Sequence, residues 1–185
     1  MFETALGWCG IAWRERGDSG APHAVTCLQL PEATVKMTES RMARRSGARK
    51  ASAPPPRIAE VIEKIRKHLR GEIQDFRGIA IDLDEADRFA RQVYEAAREI
   101  PAGETRTYGE LAKALGQPGD ARDVGQALAR NPVALIIPCH RVVAAGGKPG
   151  GFSAHGGRAT KAKMLGIEGA TKASEQLAFK YSSRN

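Results

Sequence analysis

Cys139 and His140 stand side by side in Pro138-Cys139-His140-Arg141-Val142-Val143, directly after the apolar run Leu135-Ile136-Ile137. A strand or a buried turn takes such a run indoors, so the cysteine arrives inside the fold with an imidazole next to it. Two readings follow. A free cysteine usually serves as a small core hydrophobe. A cysteine whose thiolate is stabilised by its surroundings is a nucleophile. Adjacency alone favours the first, because neighbouring side chains on a strand point to opposite faces. The rest of the chain has to supply the base, the charge and the substrate surface that the second reading needs.

The chain has 185 residues, enough for one large domain or two small ones. Its 29 Lys and Arg against 21 Asp and Glu leave a net charge of +8, which favours a polyanionic partner, and nucleic acid is the commonest. No apolar run reaches the length of a membrane span, so no membrane partner is expected. Met1-Phe2-Glu3-Thr4 lacks the basic start and apolar stretch of a signal peptide, which points to an intracellular, cytoplasmic protein. Three cysteines, Cys9, Cys27 and Cys139, suit a reducing compartment. Cys9, Cys27, His23 and His68 show no paired ligand spacing, so neither a metal nor another cofactor is expected.

Gly7 to Trp13 and Ala24 to Leu30 read as partner strands around a Gly17-Asp18-Ser19-Gly20 turn, with Pro31 as the stop. From 36 to 56 the composition turns basic (Arg41, Arg44, Arg45, Arg49, Lys50) and then proline-rich, with few apolar anchors. An exposed linker is expected there rather than a DNA contact. Ile58, Val61, Ile62, Ile65 and Leu69 recur at helical spacing, predicting an amphipathic helix over 57–70 that ends at Gly71, with His68 as a surface or capping residue. Ile79, Ile81 and Leu83 alternate with Ala80 and Asp82, indicating a third strand. After Asp84 helices dominate: 85–99, then 108–115 and 121–130. The last two flank a glycine-containing turn, as in a helix-turn-helix, although helical hairpins without DNA look the same. A glycine-rich loop over 146–153 has no phosphate-loop spacing, and a last helix over 158–165 leads to Glu168 and a polar tail over 171–185.

Tyr108-Gly109-Glu110-Leu111-Ala112, Ala121-Arg122-Asp123-Val124-Gly125, Arg130-Asn131-Pro132, Ile137 to Val142, Gly151-Phe152-Ser153 and Ile167-Glu168-Gly169 stand in one order at close spacing. Together they resemble the O6-alkylguanine-DNA alkyltransferases, the methylated-DNA–protein-cysteine methyltransferases. The likeness is strong from Asp84 to Gly169 and looser before it. It implies an α+β chain: a small ribonuclease-H-like N-terminal domain over 1–83, including the basic linker at about 36–56, and a mainly helical alkyltransferase domain over 84–170. The second domain would carry a winged-helix-like helix-turn-helix, and the chain would act as a monomer.

The resemblance also implies the chemistry. An alkyl group on guanine O6, and by extension on thymine O4, passes to a thiolate. A free cysteine, with a pKa of about 8.5, is mostly protonated at neutral pH and needs a base. By similarity Glu168 orients His140, which deprotonates Cys139 through a water molecule. That water removes the objection from adjacency. Tyr108 would donate to guanine N3, Ser153 would bond near O6, and the carbonyls of Cys139 and Val142 would accept from the exocyclic amine. Asn131 would join the recognition helix to the active-site turn. The base must be flipped out of double-stranded DNA, with Arg122 filling its place and Gly125, Ala127 and Ala129 letting the helix approach the minor groove. Phe152 stands where many relatives carry tyrosine, Ala129 where some are basic, and His155 lies in a longer loop as an expected surface residue. The alternatives are a lesion-recognition protein that repairs nothing and a cysteine hydrolase. The second would leave Arg122 without a task.

Overall fold

The computed structural model describes residues 1–16, 22–47 and 53–170. Two compact units divide the chain: Met1–Asp84 with Pro132–Ile136, and Glu85–Asn131 with the chain from Ile137 onward. The turn expected over 17–20, the basic residues Arg49 and Lys50, and the tail over 171–185 lie outside the described residues.

In the first unit β1 (Phe2–Thr4), β2 (Gly7–Glu15) and β3 (His23–Gln29) form an antiparallel sheet in that order. A tight hairpin sets the first register, Thr4 opposite Gly7, and Gly7 takes a φ of 118° that a side chain would resist. The register slips between Ala12 and Trp13, where a bulge skips one residue of β3. Helix α2 (Pro56–Leu69) opens on a proline, which fits a first turn, and buries Ile58, Val61, Ile62, Ile65 and Leu69, the stripe its sequence predicts.

Three expectations for this unit are corrected. The basic stretch is not a linker up to Ser46: Val35–Ser46 is a helix, α1. Only Thr38 and Met42 are buried on it, so the apolar signal was too sparse to see. Its ends and polar bonds hold it instead. Thr34 caps Met37 N, Gly47 closes the far end at φ 59°, and Arg41 and Arg45 donate to Glu32 Oε1 and Gln29 Oε1, each at 2.8 Å. The alternating run over 79–83 makes one parallel bridge, Val25 opposite Ile81, and no strand. Asp82 Oδ1 accepts Asp84 N at 3.0 Å and turns the chain away directly after that bridge. Farther along β3 a second parallel bridge sets Leu28 opposite Val133. His68 is neither on the surface nor a cap; it is 1 % exposed, accepts Gln74 N on Nδ1 at 3.2 Å and packs on the Phe76 ring.

In the second unit α3 (Arg88–Arg98) starts late because Asp87 caps it, accepting Ala90 N at 2.7 Å. It buries Ala90, Val93, Tyr94 and Ala97. Helix α4 (Tyr108–Ala114) begins with a capping box, Thr107 and Glu110 each bonding the other's backbone N–H. Helix α5 (Ala121–Ala129) follows after a turn in which Gly116 and Gly119 take positive φ. Two short parallel strands, β4 (Arg106–Thr107) and β5 (Val142–Val143), pair Arg106 with Val142 and Thr107 with Val143. Helix α6 (Arg158–Ile167) closes the unit. No helix among the described residues is long and apolar enough to cross a membrane.

Candidate active site

The turn that carries the cysteine is held from behind by an amide. Asn131, buried just past α5, donates from Nδ2 to Ile137 O at 2.8 Å and so ties together the two ends of the 132–136 segment. Cys139, His140 and Arg141 then form a single 3-10 turn, with Cys139 N bonded to Ile137 O and Arg141 N to Pro138 O, each at 2.9 Å. On such a turn successive side chains fan round an axis instead of alternating as on a strand. Cys139 is 9 % exposed and His140 is fully buried.

Behind His140 stands Glu168, the C-cap of α6. His140 Nε2 lies 2.9 Å from Glu168 Oε1, with neither side chain exposed. Arg141 grips the same carboxylate at both oxygens, Nε to Oε2 at 2.9 Å and Nη2 to Oε1 at 2.8 Å, and sends Nη1 to Ile100 O at 2.5 Å. Tyr108 opens α4 and is half-buried. Its ring is approached so closely by Gly150 that a Cβ there would lie 2.9 Å from ring carbon Cε2 and 3.1 Å from the hydroxyl oxygen. Lys161, fully buried on α6, sits 5.7 Å from the Tyr108 ring centroid and donates to Val142 O at 2.5 Å. Burial pulls the Lys161 ammonium down to about 8, and the nearby Cys139 charge pulls the other way. Burial, and then that same charge, pushes the Tyr108 phenol up. Among the described residues no group of three or more His, Cys, Asp or Glu could hold a metal ion. The site thus gathers a buried thiol, an imidazole–carboxylate–guanidinium chain that starts on the residues next to it, and a phenol and an ammonium that feel its charge.

Residues 88–170 match the model of the 6-O-methylguanine DNA methyltransferase DNA-binding domain. A methylated-DNA–protein-cysteine methyltransferase of Mycolicibacterium paratuberculosis is 42 % identical over 114 residues, which cover 62 % of this chain and 67 % of that one. One from Methanothermobacter thermautotrophicus is 34 % identical over 160 residues, covering 86 % of this chain and 78 % of the relative. The chain belongs to the methylated-DNA–protein-cysteine methyltransferase family. Its fold is theirs: the crystal structure of Mycobacterium tuberculosis OGT in complex with DNA superimposes with a TM-score of 0.69 at 31 % identity, covering 96 % of both chains. The O6-methylguanine-DNA methyltransferase of the archaeon Pyrococcus kodakaraensis gives 0.63 at 26 % identity, covering 88 % of this chain and 99 % of that one.

In this family member the second helix of the pair does not expose every residue expected of it. Arg122, Asp123, Gln126 and Ala129 are exposed on α5, as is its C-cap Arg130. Ala127 is not: it is fully buried, and its carbonyl accepts from the Tyr94 hydroxyl at 2.9 Å. Small size had suggested a groove contact, but with Val124 and Leu128 it lies on the core stripe of the helix. Gly125 is half-buried beside the Tyr108 ring, where a Cβ would sit at 3.8 Å. In the loop, Phe152 is half-buried, while Ser153 and His155 are exposed. Two residues of the site were missed in the sequence, Arg141 and Lys161. A signal existed for the first: a cation that stands between the apolar run Leu135-Ile136-Ile137 and Val142-Val143 must find a buried partner.

Proposed function

We propose that this protein repairs DNA by moving an alkyl group, methyl above all, from guanine O6 to Cys139 Sγ, once and irreversibly. The observation that carries the proposal is Cys139 and His140 on one turn, with His140 bonded to the buried Glu168 at the end of α6 and Tyr108 near enough to the thiol to feel its charge. With Nε2 bonded to Glu168, Nδ1 is the His140 nitrogen through which a water-mediated relay to Cys139 must run. The thiol proton passes to His140, and Sγ attacks the alkyl carbon in line. The S–C bond forms as the C–O6 bond breaks, and the electron pair stays with the guanine. Tyr108 donates its proton toward guanine N3 as that charge develops and recovers one from His140 through solvent, so thiol and alkylguanine become thioether and guanine with no other reagent. No group in the site attacks a thioether, so the protein is spent. O4-alkylthymine presents the same bond to the same thiol.

Recognition follows from the same residues. Ser153 bonds near O6, and the Cys139 and Val142 carbonyls accept from the exocyclic amine. Val142 O already takes one bond from Lys161, which leaves its second lone pair for the base. Phe152 walls the pocket. Arg122, exposed in the first turn of α5, enters the stack as the base leaves it, at a cost of a few kcal/mol for flipping. Gly125 and Ala129 let α5 approach the minor groove of a duplex. Asn131 keeps α5 and the cysteine turn in register. The net charge of +8 supports phosphate contacts. The protein works as a monomer without a cofactor, in the cytoplasm and at the nucleoid in a bacterial cell.

The test is a short duplex carrying O6-methylguanine, followed by intact and peptide masses. A gain of one CH2 on the Cys139 peptide, with unmodified guanine recovered, is the expected result. Cys139→Ala keeps duplex binding and gains nothing. Binding by the unaltered protein without any gain in mass would overturn the transfer and leave a lesion-recognition protein.

A further inference from the structure

Glu168 carries its charge where a charge is costly. The side chain is fully buried, and it caps the C-terminal end of α6, where the aligned peptide dipoles present their negative pole. His140 alone does not offset this before it has taken a proton, because a neutral imidazole carries no charge. Arg141 does. Its guanidinium makes a two-pronged bond to both carboxylate oxygens and anchors itself by the third nitrogen to Ile100 O at the end of α3. It is two residues from Cys139, so the turn that presents the thiol also presents the cation.

We infer that Arg141 is a positioning residue: it holds Glu168 as a carboxylate aimed at His140 Nε2 and thereby governs how readily Cys139 gives up its proton. The inference rests on the reading of Cys139 as the nucleophile. When His140 takes the thiol proton, the buried group comprises two negative charges, Cys139 and Glu168, and two positive ones, His140 and Arg141. Removing Arg141 leaves that state with an uncompensated buried charge, or lets Glu168 turn or protonate, and either outcome disfavours the thiolate. Tyr108 from α4 and Lys161 from α6 also feel the Cys139 charge, and Lys161 donates to Val142 O.

The experiment is the rate of Cys139 alkylation by iodoacetamide across about pH 5 to 9, read from the mass of the Cys139 peptide, with melting temperature measured alongside. Arg141→Gln should move the midpoint of the profile up by about one pH unit and slow labelling at neutral pH about tenfold. Arg141→Lys, which keeps a charge and loses the fork, should fall between. The double variant Arg141→Gln/Glu168→Gln, which removes both ends of the buried pair, should be no slower than Glu168→Gln alone. A purely structural Arg141 would lower the melting temperature and leave the profile of the folded protein in place, which would overturn the inference. Where Arg141→Gln does not fold, a wild-type profile in Arg141→Lys, or a double variant slower than Glu168→Gln, overturns it equally. Methyl transfer from duplex DNA to the unaltered protein is followed in parallel. Its absence together with a shifted iodoacetamide profile would sink the repair reading and leave the role of Arg141 standing.

Discussion

The first unit holds Cys9 and Cys27 on its sheet, and the second holds Cys139 on a turn; all three are free and buried. Cys9 is fully buried, and burial pushes its thiol up to about 11, against a small opposing pull from the Thr4 hydroxyl. Cys27 is 2 % exposed, and burial raises it too, although Arg45 pulls the other way. Cys139, at 9 %, is hardly more open. What separates the regions is what was buried with the sulfur. Around Cys9 and Cys27 the neighbours are mostly apolar strand residues, which penalise a thiolate without offering it a partner. Around Cys139 the fold has buried an imidazole, a carboxylate, a guanidinium and an ammonium, with a half-buried phenol near them. Burial makes a cysteine inert by default, and only charges buried together with it reverse that.

The widest consequence of this contrast is kinetic. Native protein treated with iodoacetamide at about pH 8 should be labelled at Cys139 at least 100-fold faster than at Cys9, because a thiol at about 11 is only about one part in a thousand thiolate there. Below its own value the thiolate of Cys9 grows tenfold per pH unit, so the gap narrows as the pH rises. Peptide masses give the three rates separately. Equal rates for Cys9 and Cys139 in folded protein would break the comparison.

Next in size is the effect of the buried ammonium. Lys161 falls from 10.5 to about 8 in the folded protein, so between those values the unfolded chain binds the proton that the folded chain has released. Stability therefore rises with pH through that window and is lost as pH falls back through about 8, by at most about 3 kcal/mol. Lys161→Met removes the group and should flatten the rise, as measured by urea midpoints at a series of pH values. Once Cys139 is alkylated, its thioether no longer supports the ammonium, so the window should open further toward low pH. An unchanged slope in Lys161→Met would mean that the ammonium is better compensated than its burial suggests.

How much of this was legible in the sequence depended on the range of the interactions. The stripe on α2, the β2–β3 pair and the α4–α5 pair are local patterns, and each was readable. Helix α1 was not, because polar bonds to Gln29 and Glu32 replace the apolar stripe that marks a helix. The alternation over 79–83 was a true pattern with the wrong consequence, since Asp82 turns its side chain to Asp84 N and Arg14 instead of extending a strand. In the site, Cys139 and His140 are legible through the ordered motifs around them and not through their adjacency, which alone favours a core cysteine. Arg141 and Lys161 act through partners 27 and 19 residues away, and no local period encodes such pairs. Ala127 shows the converse: smallness suits a groove and a core equally well, so the residue type alone does not say that it faces the core.

The smallest effect compares one added methyl group in the two regions. At Gly10 a Cβ would lie 2.8 Å from Met42 Cγ and 3.2 Å from Met1 Sδ, both on unbranched side chains that can swing aside. Gly10→Ala should cost about 1 kcal/mol in thermal or urea unfolding and leave methyl transfer unchanged. At Gly150 the obstacle is the rigid Tyr108 ring at 2.9 Å, and the backbone φ of 66° adds about 1 kcal/mol of strain for any side chain. The ring cannot bend, so Gly150→Ala has to displace it or the loop that carries residue 150. On the role proposed for Tyr108, a phenol moved by a fraction of an ångström would no longer meet guanine N3, so transfer should fall about tenfold for a similar loss of stability. The ratio of the two measurements is the informative quantity. Equal rates in the two alanine variants would mean that Tyr108 does not need its present position, and the phenol would lose its place beside the thiol in the chemistry.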